Sequence, residues 1–343
     1  MAKKKRQPGS FVRRLFQFLC LVAAALLLAA NWFVHKPRAW RDAATVSWPP
    51  ALTRRVVAVG HAFADCTDVL GLSGSDVSVS LPVFTSPSGV AFAGAPRPIP
   101  GGPAPQDLVT LRKKAFTVAW SPSHRHAVWG VYRIPPSEKP LDLSRPSVFS
   151  PDPAVPQAPK SEAYARSGYD RGHLVPSHAI ASRFGREAQL ETFLMSNIAP
   201  QRPWLNQGPW ADVELRAAND WSGRYGDVWM TVGVILSPDP RPQKLAGGIG
   251  IPTAFYQIAV VRHRERLRAC AVVMPQQISR RARPRAYLAS IDEIEKLSGF
   301  DFFSALPDEE EARLEAGTAT RLLPSGFGGL VAIIKRRLGI YPD

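Results

Sequence analysis

Four consecutive residues, Asp170-Arg171-Gly172-His173, put an acid, a fixed cation, a flexible position and an imidazole side by side. Such a group suits work on a phosphate. Arg171 can hold phosphate oxygens in its planar fork. His173 can take a proton from water near neutral pH. Gly172 lets the backbone come close to a ligand or adopt a conformation that other residues avoid. Taken alone, the quartet reads equally well as an Asp–Arg pair on a surface turn beside a histidine. A second set lies downstream, where Asn206, Trp210 and Glu214 follow at i, i+4 and i+8. In a plain α-helix Asn206 and Glu214 point within about 80° of each other. Two oxygen donors on one helix face can serve a hard cation. Singly, Asn206 reads as a helix cap and Glu214 as part of a solvated face.

Other reactive residues are less suggestive. His124 and His126 have metal-pair spacing but no third ligand nearby, and read as loop-tip residues. The three cysteines, Cys20, Cys66 and Cys270, form no CxxC or Cys/His cluster, which argues against a structural zinc site. Cys66 and Cys270 could pair in an exported domain; two buried free thiols are an equal alternative.

The elements that must position these residues lie in the second half of the chain. Phe116 to Trp120 and Ala127 to Ile134 are aromatic and β-branched around a polar connection, the pattern of a hairpin. Residues 135–160 are proline-rich and irregular. A short helix is expected over 186–195. A second helix is expected from Pro209, which suits a first turn, to about Trp221. Buried strands follow over 228–236, 255–262 and 268–274, then helices over 290–297 and 308–314. Residues 85–106 are rich in Pro, Gly, Ser and Ala and read as a linker or wrapping loop. The Ser75 to Val83 alternation reads as a strand, and Trp40 to Val59 as a helix or short strand.

With 343 residues the chain has room for one large domain plus appendages, or two domains. Its 43 Lys+Arg against 28 Asp+Glu give a net charge of +15, which favours polyanions: nucleic acid, anionic lipid or acidic polysaccharide. Basic residues at 3–14 precede an apolar run from Leu15 to Val34, long enough for a spanning helix of ~20 residues. The basic flank predicts a cytoplasmic N-terminus and a membrane anchor with the rest of the chain outside. A cleaved signal peptide, releasing a secreted chain, competes with it, and an organellar targeting sequence ranks third.

The ordered set of motifs carries a resemblance. Its pieces are Ala-Val-Trp-Gly-Val-Tyr at 127–132, Arg145 with Phe149 and Asp152-Pro153, Ser167-Gly168-Tyr169-Asp170-Arg171-Gly172-His173-Leu174, Ser196-Asn197-Ile198-Ala199-Pro200-Gln201, and Asn206-Gln207-Gly208 with Trp210 and Glu214. Ile249 to Thr253 before Phe255-Tyr256, and 291–303, complete it. Over about 108–317 the chain resembles the DNA/RNA non-specific endonuclease family of the ββα-metal (His-Me finger) class. The resemblance implies an α+β fold with a central, mainly antiparallel sheet flanked by helices. With the N-terminal reading, it divides the chain into a basic tail at 1–14, the anchor at 15–34, an extension and linker at 35–107, the catalytic domain at 108–317, which the resemblance covers, and a tail at 318–343.

It also implies roles. His173 is the general base, with Arg171 and Glu214 also catalytic. Asn206 ligates one Mg²⁺ directly, Mn²⁺ being a substitute, and Glu214 acts on the ion through water. Arg145, Arg171 and Asn197 bind substrate, Asn197 also fixing the geometry of the site. The reaction is hydrolysis of DNA and RNA to 5′-phosphate ends, and a homodimer is compatible with it. Two positions depart from the family pattern: Ala218 stands where some relatives have arginine, with Arg216 nearby, and Gln257 where many have lysine. His178 has no family role. The competing function is a membrane-anchored nucleic-acid-binding component, for example in DNA uptake, with little turnover.

Overall fold

The computed structural model describes residues 22–30, 47–49, 52, 55–56, 59, 77–78, 89–263, 266–317 and 322–323. It divides into two units, Met1–Ser73 with Pro324–Asp343, and Gly74–Leu323. In the first unit residues 22–30 are helical. Among the described residues no helix is long and apolar enough to cross a membrane. The rest of the expected anchor, 15–21 and 31–34, lies outside them, as do Cys66 and nearly all of 318–343.

The second unit is built on one antiparallel sheet. Its strands are β1 (Val77–Ser78), β3 (Val109–Arg112), β4 (Phe116–Ser121), β5 (His126–Ile134), β8 (Val228–Ile235), β9 (Ala254–His263), β10 (Arg266–Pro275) and β11 (Leu288–Ala289). They lie in the order β1-β10-β9-β8-β5-β4-β3, with β11 on β10. The hairpin read from the sequence, β4–β5, is present, and the expected strands β9 and β10 pair antiparallel as a second one. A short pair, β2 (Arg97–Pro98) with β12 (Phe300–Asp301), stands apart, as does the ribbon of β6 (Asp170–His173) and β7 (Ile198–Gln201).

β8 and β9 are covered on both faces, which explains their nearly unbroken apolar sequence. Alternation along β9 shows the two layers directly. Phe255 packs edge-on against Trp210 with ring centres 5.5 Å apart, and Gln257 donates to the Trp210 carbonyl at 3.3 Å. Tyr256, pointing the other way, meets Phe302 at 5.7 Å. Gln257 thus braces the backbone of the helix that carries Asn206 and Glu214.

The four helices that matter below are α1 (Ser177–Thr192), α2 (203–225), α3 (Ile291–Ser298) and α4 (Asp308–Ala316). Two corrections concern them. The sequence reading starts α1 at Arg186, but the helix begins at Ser177 and bends at Gly185, where φ is +83°. The pattern on either side of the bend is out of phase, so only its second half looks periodic. α2 is not a plain α-helix. Asn206–Trp210 and Arg216–Trp221 are π-turns, and Gly208 is non-helical at φ −120°, ψ −118°. The 80° angle expected between Asn206 and Glu214 therefore does not apply. Gly208 is needed there, because a Cβ would sit 2.7 Å from the Arg280 carbonyl oxygen.

The expected linker is also part of the domain. Phe92 and Ala104 are buried, and Phe92 stacks on Phe303 at 5.3 Å and Trp229 at 5.6 Å. Apart from the short β2, prolines keep 89–107 irregular without keeping it off the core. At the other end, the Leu322 carbonyl accepts from the Trp221 indole at 3.0 Å. His126, read as a loop tip, is a fully buried strand residue whose Nδ1 lies 2.7 Å from the Ala127 carbonyl. Cys270 is a buried free thiol.

Candidate active site

The Asp-Arg-Gly-His quartet is a strand, not a surface turn. β6 pairs antiparallel with β7, setting Asp170 opposite Gln201 and His173 opposite Ile198. Alternation puts Arg171 and His173 on one side of the ribbon and Asp170 and Gly172 on the other. Gly172 is required for packing rather than for a ligand: a Cβ would lie 2.5 Å from the Gln201 Cβ. Behind the strand, Asn197 Oδ1 accepts from the Val175 N–H at 3.0 Å, and its Nδ2 donates to the carbonyls of Val175 and Thr192 at 2.9 and 3.0 Å. Asn197 is wholly buried and pins the chain that leaves His173.

His173 is 7% exposed and walled by Phe193 at 4.8 Å and Phe149 at 5.3 Å between ring centres. Burial, reinforced by the Arg145 charge, lowers its pKa to about 3. The ring is therefore neutral at pH 7, and its Nε2 has no partner among the described residues. The arginines are held by the same aromatic walls. Arg145 lies 5.2 Å over Phe193, and Arg171 lies 4.8 Å over Phe149 while donating to Ser161 Oγ at 2.6 Å. Both are exposed, with their heads available to an anion.

Asn206 and Glu214 arrive from α2. Asp170 Oδ2 accepts from Asn206 Nδ2 at 2.8 Å and from Gln207 Nε2 at 2.9 Å. A carboxylate only accepts, so this contact turns Asn206 Oδ1 away from Asp170. Asp170 thereby joins the ribbon to the helix, a role absent from the sequence reading. The two partners are separated by 36 residues, and nothing local in the sequence announces their contact. Glu214 is half-buried as a residue, yet burial raises its carboxyl to about 8. The Trp210 indole and the Arg145 charge work the other way. The Arg145 charge thus acts on both the His173 ring and the Glu214 carboxyl. The Tyr132 hydroxyl, buried without a partner among the described residues, also feels the Glu214 charge.

The remaining candidates fall outside. Arg216 pairs with Asp212 at 3.1 Å on α2. His178 lies on α1, its Nε2 3.2 Å from Asn219 Oδ1. His124 Nδ1 lies 3.0 Å from Ser121 Oγ, and His124 and His126 have no carboxylate or thiol companion in metal-binding range among the described residues.

The chain is 32% identical over 181 residues to mouse mitochondrial nuclease EXOG, covering 48% of each protein. It is 28% identical to bovine mitochondrial endonuclease G, covering 62% of this chain and 78% of that one. Nuclease C1 of Cunninghamella echinulata is also 28% identical, with 64% and 92% covered. The chain spans about half the length of the EXOG nucleases it matches. A crystal structure of the EndoG/EndoGI complex superposes with a TM-score of 0.52 at 21% identity, covering 59% of this chain and 88% of that one, and shares the fold. The sequence pattern of the DNA/RNA non-specific endonucleases matches residues 93–309, and the chain belongs to that family.

Proposed function

We propose that this domain is a metal-dependent endonuclease hydrolysing phosphodiester bonds of DNA and RNA with little sequence preference. The observations that carry the reading are the grip of Asp170 on Asn206 and, at the other end of the same strand, a neutral His173 whose ring nitrogen has no partner among the described residues. The residues fit a hard divalent cation such as Mg²⁺ or Mn²⁺. Asn206 Oδ1, turned away from Asp170, is the oxygen that would bind it, and Glu214 the carboxyl that would hold its waters. When bound, the ion supplies positive charge for the phosphate oxygens and the departing 3′ oxygen.

The chain's own residues do the rest. Arg171 and Arg145 hold the phosphate from the aromatic wall. His173 takes a proton from a water as that water's oxygen attacks phosphorus. The bond to the 3′ oxygen breaks, that oxygen picks up a proton from solvent, and the phosphate stays on the 5′ side. A phosphate beside His173 brings negative charge, which moves the ring's pKa back up toward the ordinary imidazole range and improves the base. Contacts directed at phosphates read no bases.

The test is digestion of plasmid and of RNA by the full chain with Mg²⁺, with EDTA, and with His173→Ala. EDTA should stop cleavage of both, and His173→Ala should slow it by about 10²–10⁴-fold. Full activity in that variant would refute the assigned base. Mobility shifts without cleavage would favour a binding component instead. The N-terminal basic and apolar segments support a further part of the reading, a membrane anchor with the domain outside the cytoplasm. Recovery of the intact chain from the soluble cytoplasmic fraction would overturn it.

A further inference from the structure

A cavity of about 610 Å³ lies alongside the ribbon, bounded by Gly168, Arg202, Trp204, Gln277 and Ile278 among others. Its walls run straight into the proposed active site. Gly168 and Tyr169 lead into Asp170, while Arg202 and Trp204 fill the step between β7 and Asn206.

Trp204 is the unusual member. It is 66% exposed, whereas Trp120, Trp129, Trp210 and Trp221 of the same domain are all buried. An indole left in water forgoes roughly 1.5–3 kcal/mol of burial, so a fold with four buried tryptophans does not need this one outside. The mount beneath it is rigid. The Arg202 backbone N–H donates to Gln276 Oε1 at 2.8 Å, and Gln276 Nε2 donates to the Pro200 carbonyl at 2.7 Å. The Arg202 guanidinium lies over Tyr169 at 4.1 Å and donates to the Gly168 carbonyl at 3.4 Å, with no carboxylate partner among the described residues. Gln277 is exposed, and the exposed Arg280 and Arg281 follow it on the same loop. An open indole face, a guanidinium not neutralised by a carboxylate and an amide that both donates and accepts match a nucleotide: base on the ring, phosphate on the arginine, base edge on the amide.

We propose that this cavity is a nucleotide subsite in which Trp204 stacks an unpaired base of the strand being cut. The proposal rests on the endonuclease reading and adds a substrate class to it. Bases inside a duplex have both faces covered by their neighbours, so only a single strand, or a base pulled from the stack, can reach the indole. The domain therefore favours single-stranded DNA and RNA over the paired form of the same sequence.

The experiment uses the full chain and a labelled 20-nucleotide strand, alone and annealed to its complement. Trp204→Ala should raise KM on the single strand by roughly tenfold, since one stacked base is worth about that or more, while kcat is little changed. KM on the duplex should stay within about twofold, and Trp204→Phe should restore most of the loss. Anisotropy titration of the single strand in EDTA should show the same roughly tenfold weakening without any cleavage. Unchanged single-strand binding and KM in Trp204→Ala would overturn the subsite, as would equal losses on both substrates. Failure of the unmodified chain to cut either substrate would instead refute the endonuclease reading, and the titration would still decide the subsite.

Discussion

The surroundings of Glu214 and the gap between α3 and α4 both bury carboxyl groups and raise them, and they differ in what faces those groups. Glu214 is pushed up to about 8 by burial, while Arg145 and the Trp210 indole act to keep it charged. Between α3 and α4, Asp292, Glu295 and Glu315 bring carboxylate oxygens within 4.8 Å of one another, with no ion pair to any of them among the described residues. Burial first, and then Glu295, Glu311, Asp292 and Asp301, push Glu315 up to about 9. Glu295 rises to about 7 by burial, against a backbone N–H from Phe302 and with Asp301, Asp292 and Glu311 adding to it. In the second region carboxyls face one another, whereas the Arg145 charge faces Glu214 in the first. A perturbed carboxyl is thus weak evidence of a site; the groups facing it decide what it is for.

That contrast can be broken most forcefully at Asn206. Asn206→Ala should abolish most Mg²⁺-dependent cleavage, whereas changes between α3 and α4 should leave the rate alone. Asp170→Ala comes next. It leaves the base and the amide in place but releases Asn206, so half-maximal Mg²⁺ should rise about 10–100-fold. If the metal requirement is unmoved, Asp170 is merely structural. Gly172→Ala should act on stability, because the new methyl meets Gln201 between the strands. The cost is about 1–3 kcal/mol, read as a lower denaturant midpoint. Glu315→Gln has the smallest effect and the opposite sign. Because the folded-state pKa of Glu315 is raised, its stabilising share is full below the ordinary carboxyl value of 4.5 and fades as pH climbs toward about 9. The variant should therefore gain about 1–2 kcal/mol at pH 8, nothing at pH 4, and cut nucleic acid at the parent rate. A change in its rate would make the two regions one.

Much of the frame was legible because its rules are local. Apolar, aromatic and β-branched runs marked β4, β5, β8 and β9. Proline and glycine hid two features. Residues 89–107 look like linker, and the first half of α1 is masked by the bend at Gly185. Of the residues named from the sequence, His173, Arg171 and Arg145 share the Phe149 and Phe193 walls, Asn206 is held by Asp170, and Glu214 feels the Arg145 charge. Their division of labour was not legible. Asn197 is spent on backbone hydrogen bonds and Gly172 on packing, which only the fold shows.

The sequence by itself determined the family, the strand pattern and the chemical inventory, because these rest on residue identity and short-range periodicity. Only the tertiary structure decided which polar atoms are spent and which remain open. Asp170 and Asn206 are 36 residues apart, and a hydrogen bond between them exists only once β6 and α2 are packed. The same packing spends all of Asn197, leaves His173 Nε2 unpaired and keeps Trp204 in water. Hydrogen bonds and burial depend on three-dimensional neighbours, which residue order alone does not name.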